Sequence, residues 1–261
     1  VLSVQHVDGR PLGLLTNYGL HYVGGVPKGH ISADYYGMFC AAVEHKLGSF
    51  GQDPPVVALL ANGASGNVNN IDFRVKPVPR PQFAKMKDVA GDMASAVLAA
   101  CEDIDYSKDI RLTAATRTLD LAVRRPDRER LAWARLTMAS ADSPDRLSLP
   151  EVFAREALFL ENYPATLPVF LQAFAIGGLA LSAIPCEVFA ETGLAIREAS
   201  PFAATCVMGL ANAYHGYLPP PEQHMLGGYE TWPARSSCLA ADAETHIRNG
   251  SIELLHQLSS R

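Results

Sequence analysis

The sequence predicts an α/β protein, a mixed β-sheet core with helices packed on its faces and ligand-type polar groups at the strand ends. Three observations carry this. Short apolar runs of β type alternate along the chain with segments whose apolar residues recur at helical spacing. Apolar residues make up 48% of the 261 positions against 19% charged, enough to bury a sizeable core. His21, the loop Asn62–Asn70, Glu187 and Tyr217 each fall where a strand-like run gives way to a loop or helix.

The opening stretch, VLSVQHVDGRPLG, reads as a hairpin with its turn at Asp8-Gly9-Arg10. It begins as if in mid-strand, with no initiator Met and no signal-like region. Residues 1–261 are therefore expected to be a single catalytic-type domain from the C-terminal portion of a longer protein. Leu12–His21 is an apolar strand ending in His21, followed by a glycine-rich loop, Tyr22–Gly29. A helix then starts near a cap at Ser32 or Asp34, with Phe39, Ala42, Val43 and Leu47 on its buried side and His45 on its surface. His21 itself is either a structural strand-end histidine or a ligand.

Pro54-Pro55 introduces the apolar strand VVALLA, which feeds NGASGNVNN, Asn62–Asn70. The glycines allow backbone amides to approach a ligand closely, although the loop equally reads as an Asn/Gly turn cluster. It lacks the Lys-Ser/Thr ending of a Walker A loop. Proline-rich Phe73–Pro81 is a stiff connection, and Gln82–Cys101 is a helix with Phe83, Met86, Val89, Ala90, Met93, Val97 and Leu98 on one side. Arg111–Val123 returns to a β pattern. The basic cluster Arg124, Arg125, Arg128 and Arg130, interleaved with Asp127 and Glu129, reads as a solvated face. Helices near Glu129–Ala139 and Pro150–Glu161, separated by the turn-like Ala141–Ser148, make residues 124–165 a helical sub-lobe.

Phe170–Ile176 and Leu179–Ile184 flank Gly177-Gly178 as a hairpin or a bulged strand. After Pro185 the period changes to helical, with Val188, Phe189, Leu194, Ala195 and Ile196 recurring until Ser200-Pro201. Glu187 sits at that seam, either as a capping or first-turn acid or as a site carboxylate. Phe202–Gly209 is a further strand. It runs into a loop tethered by three consecutive prolines, whose tyrosines at 214, 217 and 229 suggest a site wall. Asp242–Leu258 closes the chain as an amphipathic helix.

Composition narrows the function classes. A formal charge of -5 and the absence of a long basic stripe argue against a nucleic-acid partner, and no apolar run approaches the length of a membrane span. The five cysteines are scattered with no CxxC pair, which favours reduced thiols and a cytoplasmic setting over a disulfide framework, though a secreted protein is not excluded. Histidine nitrogen and carboxylate oxygen are good zinc ligands, and a tyrosine oxygen can complete such a sphere.

Taken together, NYGLHY, ANGASGNVN, AIPCEVFAETGLAIR and GLANAYHGYLPPPEQHMLGGYE resemble, in the same order, the blocks of the neutral/alkaline non-lysosomal ceramidase family. The resemblance implies a zinc amidase cleaving an N-acyl bond. It carries the metal ligands onto His21, Glu187 and Tyr217, and a tyrosine beside the scissile carbonyl onto Tyr229. The Gly66, Asn67 and Asn69 positions join Tyr229 in the catalytic set, while Asn62, Gly63, Ser65, Tyr214 and His215 line the substrate side. His215 and His30 are candidates to relay a proton. Two departures stand out. The family's first zinc histidine has no counterpart here, so an upstream segment or a companion chain is expected to supply it. The family's loop serine, in a GDVSP-like pattern, is replaced by Asn69, with Ser65 nearby but not assigned as a nucleophile. The missing serine puts ceramide hydrolysis in question and leaves a small N-acyl amine, or another ester or amide, as the alternative substrate to a sphingolipid. The alternative is a non-catalytic member or subunit that binds a small ligand.

Overall fold

The computed structural model describes residues 1–48, 51–143 and 146–260. The expected turn Ala141–Ser148 lies partly outside them. The fold is α/β, with mixed sheets and helices packed around them. The chain divides into two compact units, one of residues 1–63 and 68–110, the other of 64–67 and 111–261.

The first unit opens with β1 (Leu2–Gln5) and β2 (Pro11–Tyr18), the expected antiparallel hairpin turning at Asp8-Gly9. Helix α1 (Asp34–Lys46) crosses over to β3 (Val57–Asn62), which pairs parallel with β2. Helix α2 (Ala84–Glu102) follows. One sheet face presents Leu14 and Ala58 to Tyr35, Phe39 and Val43 of α1 and to Met86, Ala90 and Met93 of α2. The Asp34 carboxylate accepts the amides of Val23, Gly24 and Tyr35, and its own amide donates to Ser32 Oγ. The N-cap position itself is Ala33, between the two suggested residues, so neither Ser32 nor Asp34 is the cap, although both hydrogen-bond backbone amides at this helix start.

Two further expectations are corrected in this unit. Strand β2 ends at Tyr18, three residues before His21, because Tyr18 O accepts the Gly63 amide at 2.8 Å and the chain then leaves the ladder. Helix α2 starts at Ala84, because Phe83 takes a left-handed conformation (φ 63°) and donates its amide to Gly25 O.

In the second unit, β4 (Leu112–Ala122) is followed by α3 (Arg128–Ala139) and α4 (Leu149–Glu161). Asp127 caps α3, and Ser148 and Glu151 form a capping box on α4. The hairpin β5 (Thr166–Ile176) and β6 (Leu179–Ala183) turns at Gly177-Gly178 as expected. Strand β5 begins four residues before the expected Phe170 and contains Pro168. That proline is tolerated because β6 pairs only from Gln172 onward, leaving β5 with one neighbour at Pro168.

Next come β7 (Glu187–Val188), α5 (Ala190–Glu198), β8 (Ala204–Met208), β9 (Tyr217–Leu218), α6 (Pro221–Leu226), a 3-10 turn at Tyr229–Thr231, and α7 (Ala243–Ser259). The sheet order is β4-β5-β6-β8, with β6 and β8 parallel, and β7 pairs parallel with β9. Helix α7 lays Ile247, Leu254, Leu255 and Leu258 against Val169 and Leu171 of β5. Helix α5 starts at Ala190 and turns Thr192, Gly193 and Ile196 inward, whereas Leu194, expected among the apolar set, is exposed. All five cysteines are free, with Cys186 and Cys238 buried. No helix among the described residues is long and apolar enough to cross a membrane.

Candidate functional site

The site centres on Glu187, and the local chain explains why it stands where it does. Pro185 cannot continue the β6 ladder, so the chain leaves the large sheet and makes only two residues of a new pairing. In that pairing Glu187 is the register partner of Tyr217, and its amide donates to Gly216 O at 2.8 Å. Gly216 has φ 81°, and a Cβ there would stand 2.2 Å from Ser236 O, so only glycine fits. Tyr217 in turn donates its amide to Ser236 O at 2.8 Å. The reading of Glu187 as a capping or first-turn acid is thereby corrected, since α5 begins three residues later and Glu191 is its first-turn acid.

Around the half-buried Glu187 carboxylate are phenols. Tyr214 donates its hydroxyl to Glu187 Oε1 at 3.0 Å. Tyr217 stands beside Glu187 as its register partner, and the Tyr217 and Tyr229 rings meet edge-on at 5.6 Å and 87°. Burial first, then contact with Tyr229 and the Glu187 charge, push the Tyr217 phenol above the usual tyrosine range. Burial and the Glu187 charge do the same for Tyr214. Burial also raises Tyr229, which keeps about half its surface open. His215 is pinned by its amide to Pro185 O, and burial lowers its pKa.

The glycine loop acts on the same element from behind. Gly66 donates its amide to Val188 O at 2.7 Å, and a Cβ on it would meet Glu187 O at 2.5 Å. Asn67 Oδ1 accepts the Ala190 amide at 2.9 Å, and its Nδ2 donates to Glu191 Oε2 at 2.8 Å. Both residues are engaged in holding the β7–α5 junction, and Ser65 is buried beside them in sequence. Gly63 donates to Tyr18 O, so neither the Gly63 nor the Gly66 amide is open to a substrate oxygen.

The remaining candidates belong to the first unit. His21 has its main chain fixed, its amide donating to Val68 O at 3.0 Å and the preceding Leu20 O accepting the Tyr35 hydroxyl at 2.8 Å. Asn62 Oδ1 accepts the Tyr36 hydroxyl at 2.8 Å, and Asn69 is exposed, as is His30. The second unit thus brings Glu187, Tyr214, Tyr217 and Tyr229 together.

Sequence reasoning missed Arg124. It donates to Thr231 O at 2.6 Å and to Ser237 O and Oγ at 2.5 and 2.7 Å, holding the turn that carries Tyr229. It is not part of a solvated face. Nothing in its local sequence distinguishes it from Arg125 or Arg128, because its partners lie more than a hundred residues away.

Among the described residues no group of three or more His, Cys, Asp or Glu could hold a metal ion. The Glu187 cluster is instead one carboxylate among phenol oxygens. It has no ion-pair partner among the described residues, and its negative charge works against ionisation of two neighbouring tyrosines. A cation fits that donor set, since it would compensate the carboxylate and draw a phenol toward ionisation.

The class this architecture matches is the neutral ceramidase fold. The neutral ceramidase from Pseudomonas aeruginosa is similar to this chain with a TM-score of 0.64 at 17% identity, the match covering 98% of this chain and 45% of that one. A ceramidase complexed with C2 is similar with a TM-score of 0.67 at 17% identity, covering 98% and 47% respectively. The chain therefore spans a little under half the length of these structures, and at this identity the likeness is one of fold. No family model and no curated protein matches the sequence.

Proposed function

We propose that this chain contributes to the active centre of a zinc-dependent hydrolase that cleaves an N-acyl amide bond in a small molecule. The observation that carries the reading is the Glu187 carboxylate, uncompensated by any cation among the described residues, hydrogen-bonded by Tyr214 and in register with Tyr217. The ceramidase-like fold supports it. Glu187 and Tyr217 are the metal ligands proposed for this unit. Zinc, when bound, supplies polarisation of the amide carbonyl and a lowered pKa for water.

The protein's own groups divide the remaining work. Tyr214 fixes the orientation of the Glu187 carboxylate through Oε1. Tyr229, half-exposed beside Tyr217, donates its hydroxyl to the acyl oxygen as negative charge grows there, a contact worth about 3 kcal/mol in a preorganised site. His215, its pKa lowered by burial, is neutral at neutral pH and can accept a proton for delivery to the leaving amine. The Gly66–Asn67 loop is assigned to support of the β7–α5 junction, because its donors are engaged there.

The second reading, a ligand-binding member without catalysis, is favoured by the lack of a cluster of three conventional ligands among the described residues. Metal analysis of the folded protein beside Glu187→Ala separates the two. About one zinc per chain, lost in the variant, with turnover of an N-acyl amine supports the hydrolase. A folded sample that takes up no zinc sinks it.

A further inference from the structure

A cavity with a volume of about 610 Å³ lies in the second unit between β4's exit and the α3–α4 pair, its lining free of Glu187 and Tyr217. That is within the ~300–1,000 Å³ of small-ligand sites. Its body is apolar and aromatic, from Trp133, Phe153 and Trp232, with Phe153 and Trp232 packed edge-on at 4.7 Å and 84°. Its charged lining is Arg124, Arg125 and Arg130 against the single carboxylate of Asp127, which is already engaged as the cap of α3.

None of the three arginines forms an ion pair among the described residues. Arg130 stacks its guanidinium on Trp133 at 3.9 Å from the ring centre, and the Arg125 guanidinium donates to the Glu161 carbonyl. Arg124 is tied to Thr231 and Ser237, but its buried Nε has no hydrogen-bond partner among the described residues. Guanidinium groups that line an aromatic cavity and lack carboxylate partners match an anionic head joined to an apolar body.

We propose that this cavity binds a small organic carboxylate. The apolar body lies among Trp133, Phe153 and Trp232, and the carboxylate is met by Arg125 and Arg130. The site is separate from the proposed hydrolysis, and the probe that tests it has no bond to cleave.

The chain has two tryptophans, and both line this cavity, so their emission reports its occupancy directly. Titration with decanoate and, separately, with decyl alcohol compares a charged and a neutral head on one chain length. Decanoate is expected to saturate the emission change with an affinity about ten-fold or more above the alcohol's. Arg125→Gln combined with Arg130→Gln should remove that advantage and leave alcohol binding unchanged. Equal affinity for the two probes in the unaltered protein overturns the proposal, as does undiminished decanoate binding by the folded double variant. The first comparison needs no variant, so it decides the matter even where the substituted protein fails to fold.

Discussion

Glu187 and Tyr217 are register partners across a parallel pair of strands only two residues long, and burial with the neighbouring Glu187 charge pushes the Tyr217 phenol up. So short a ladder contributes little stability by itself. The pair is held in place by Gly216, Ser236 and Gly66 around it. Tyr217→Phe keeps the ring's edge-on contact with Tyr229 and removes only the hydroxyl. Under the proposed function, zinc retention should fall by roughly ten-fold or more while the melting temperature changes little. Competition with a chelator of known affinity measures it.

Two glycines should respond oppositely to alanine. At Gly66 the added methyl stands 2.5 Å from Glu187 O and 2.8 Å from the Phe189 ring, and backbone cannot move aside cheaply. Gly66→Ala is expected to cost about 2–3 kcal/mol in chemical denaturation. Gly91, inside α2, has nothing within 4 Å of its would-be Cβ, and Gly91→Ala should stabilise by ~0.5–1 kcal/mol.

Asn67 accepts the first free amide of α5 with one side-chain atom and donates to Glu191 with the other. Asn67→Ala should therefore cost about 1–2 kcal/mol, the scale of a lost helix cap. Asn67→Asp keeps the acceptor but sets a carboxylate against Glu191, so it should recover only part of that loss at neutral pH and more in acid. Urea denaturation of the three proteins at two pH values checks the order.

Glu156 of α4 holds Arg235 through two side-chain contacts, 2.8 Å from Nε and 2.9 Å from a terminal nitrogen. These hydrogen bonds lower the Glu156 pKa below its ordinary value of 4.5. A depressed folded-state pKa contributes stability that is fully present above the unfolded value and is lost as pH falls through the folded value. The unaltered protein should exceed Glu156→Gln by about 1 kcal/mol at neutral pH, Arg235 being half-exposed, and that advantage should vanish on acidification well below 4.5. Thermal unfolding across the acid range tests the sign.

The sequence by itself determined the alternation of strands and helices, the hairpins at Asp8-Gly9 and Gly177-Gly178, and the polar residues gathered near the strand ends. These follow from near neighbours: side-chain period, turn residues and caps act within a few positions of one another. Glu187 and Tyr217 were legible as candidates because each stands where an apolar or proline-bound run changes character, and Tyr229 through the family resemblance of its GGYE block. Only the tertiary structure decided their arrangement. Glu187 lies on a strand rather than in a helix start because Gly216, twenty-nine positions on, accepts its amide. Asn67 caps a helix more than a hundred residues away, and Arg124 leaves solvent for carbonyls equally distant. Each of these depends on hydrogen bonds that close only when remote segments meet, and no local period or propensity encodes where such segments will come together.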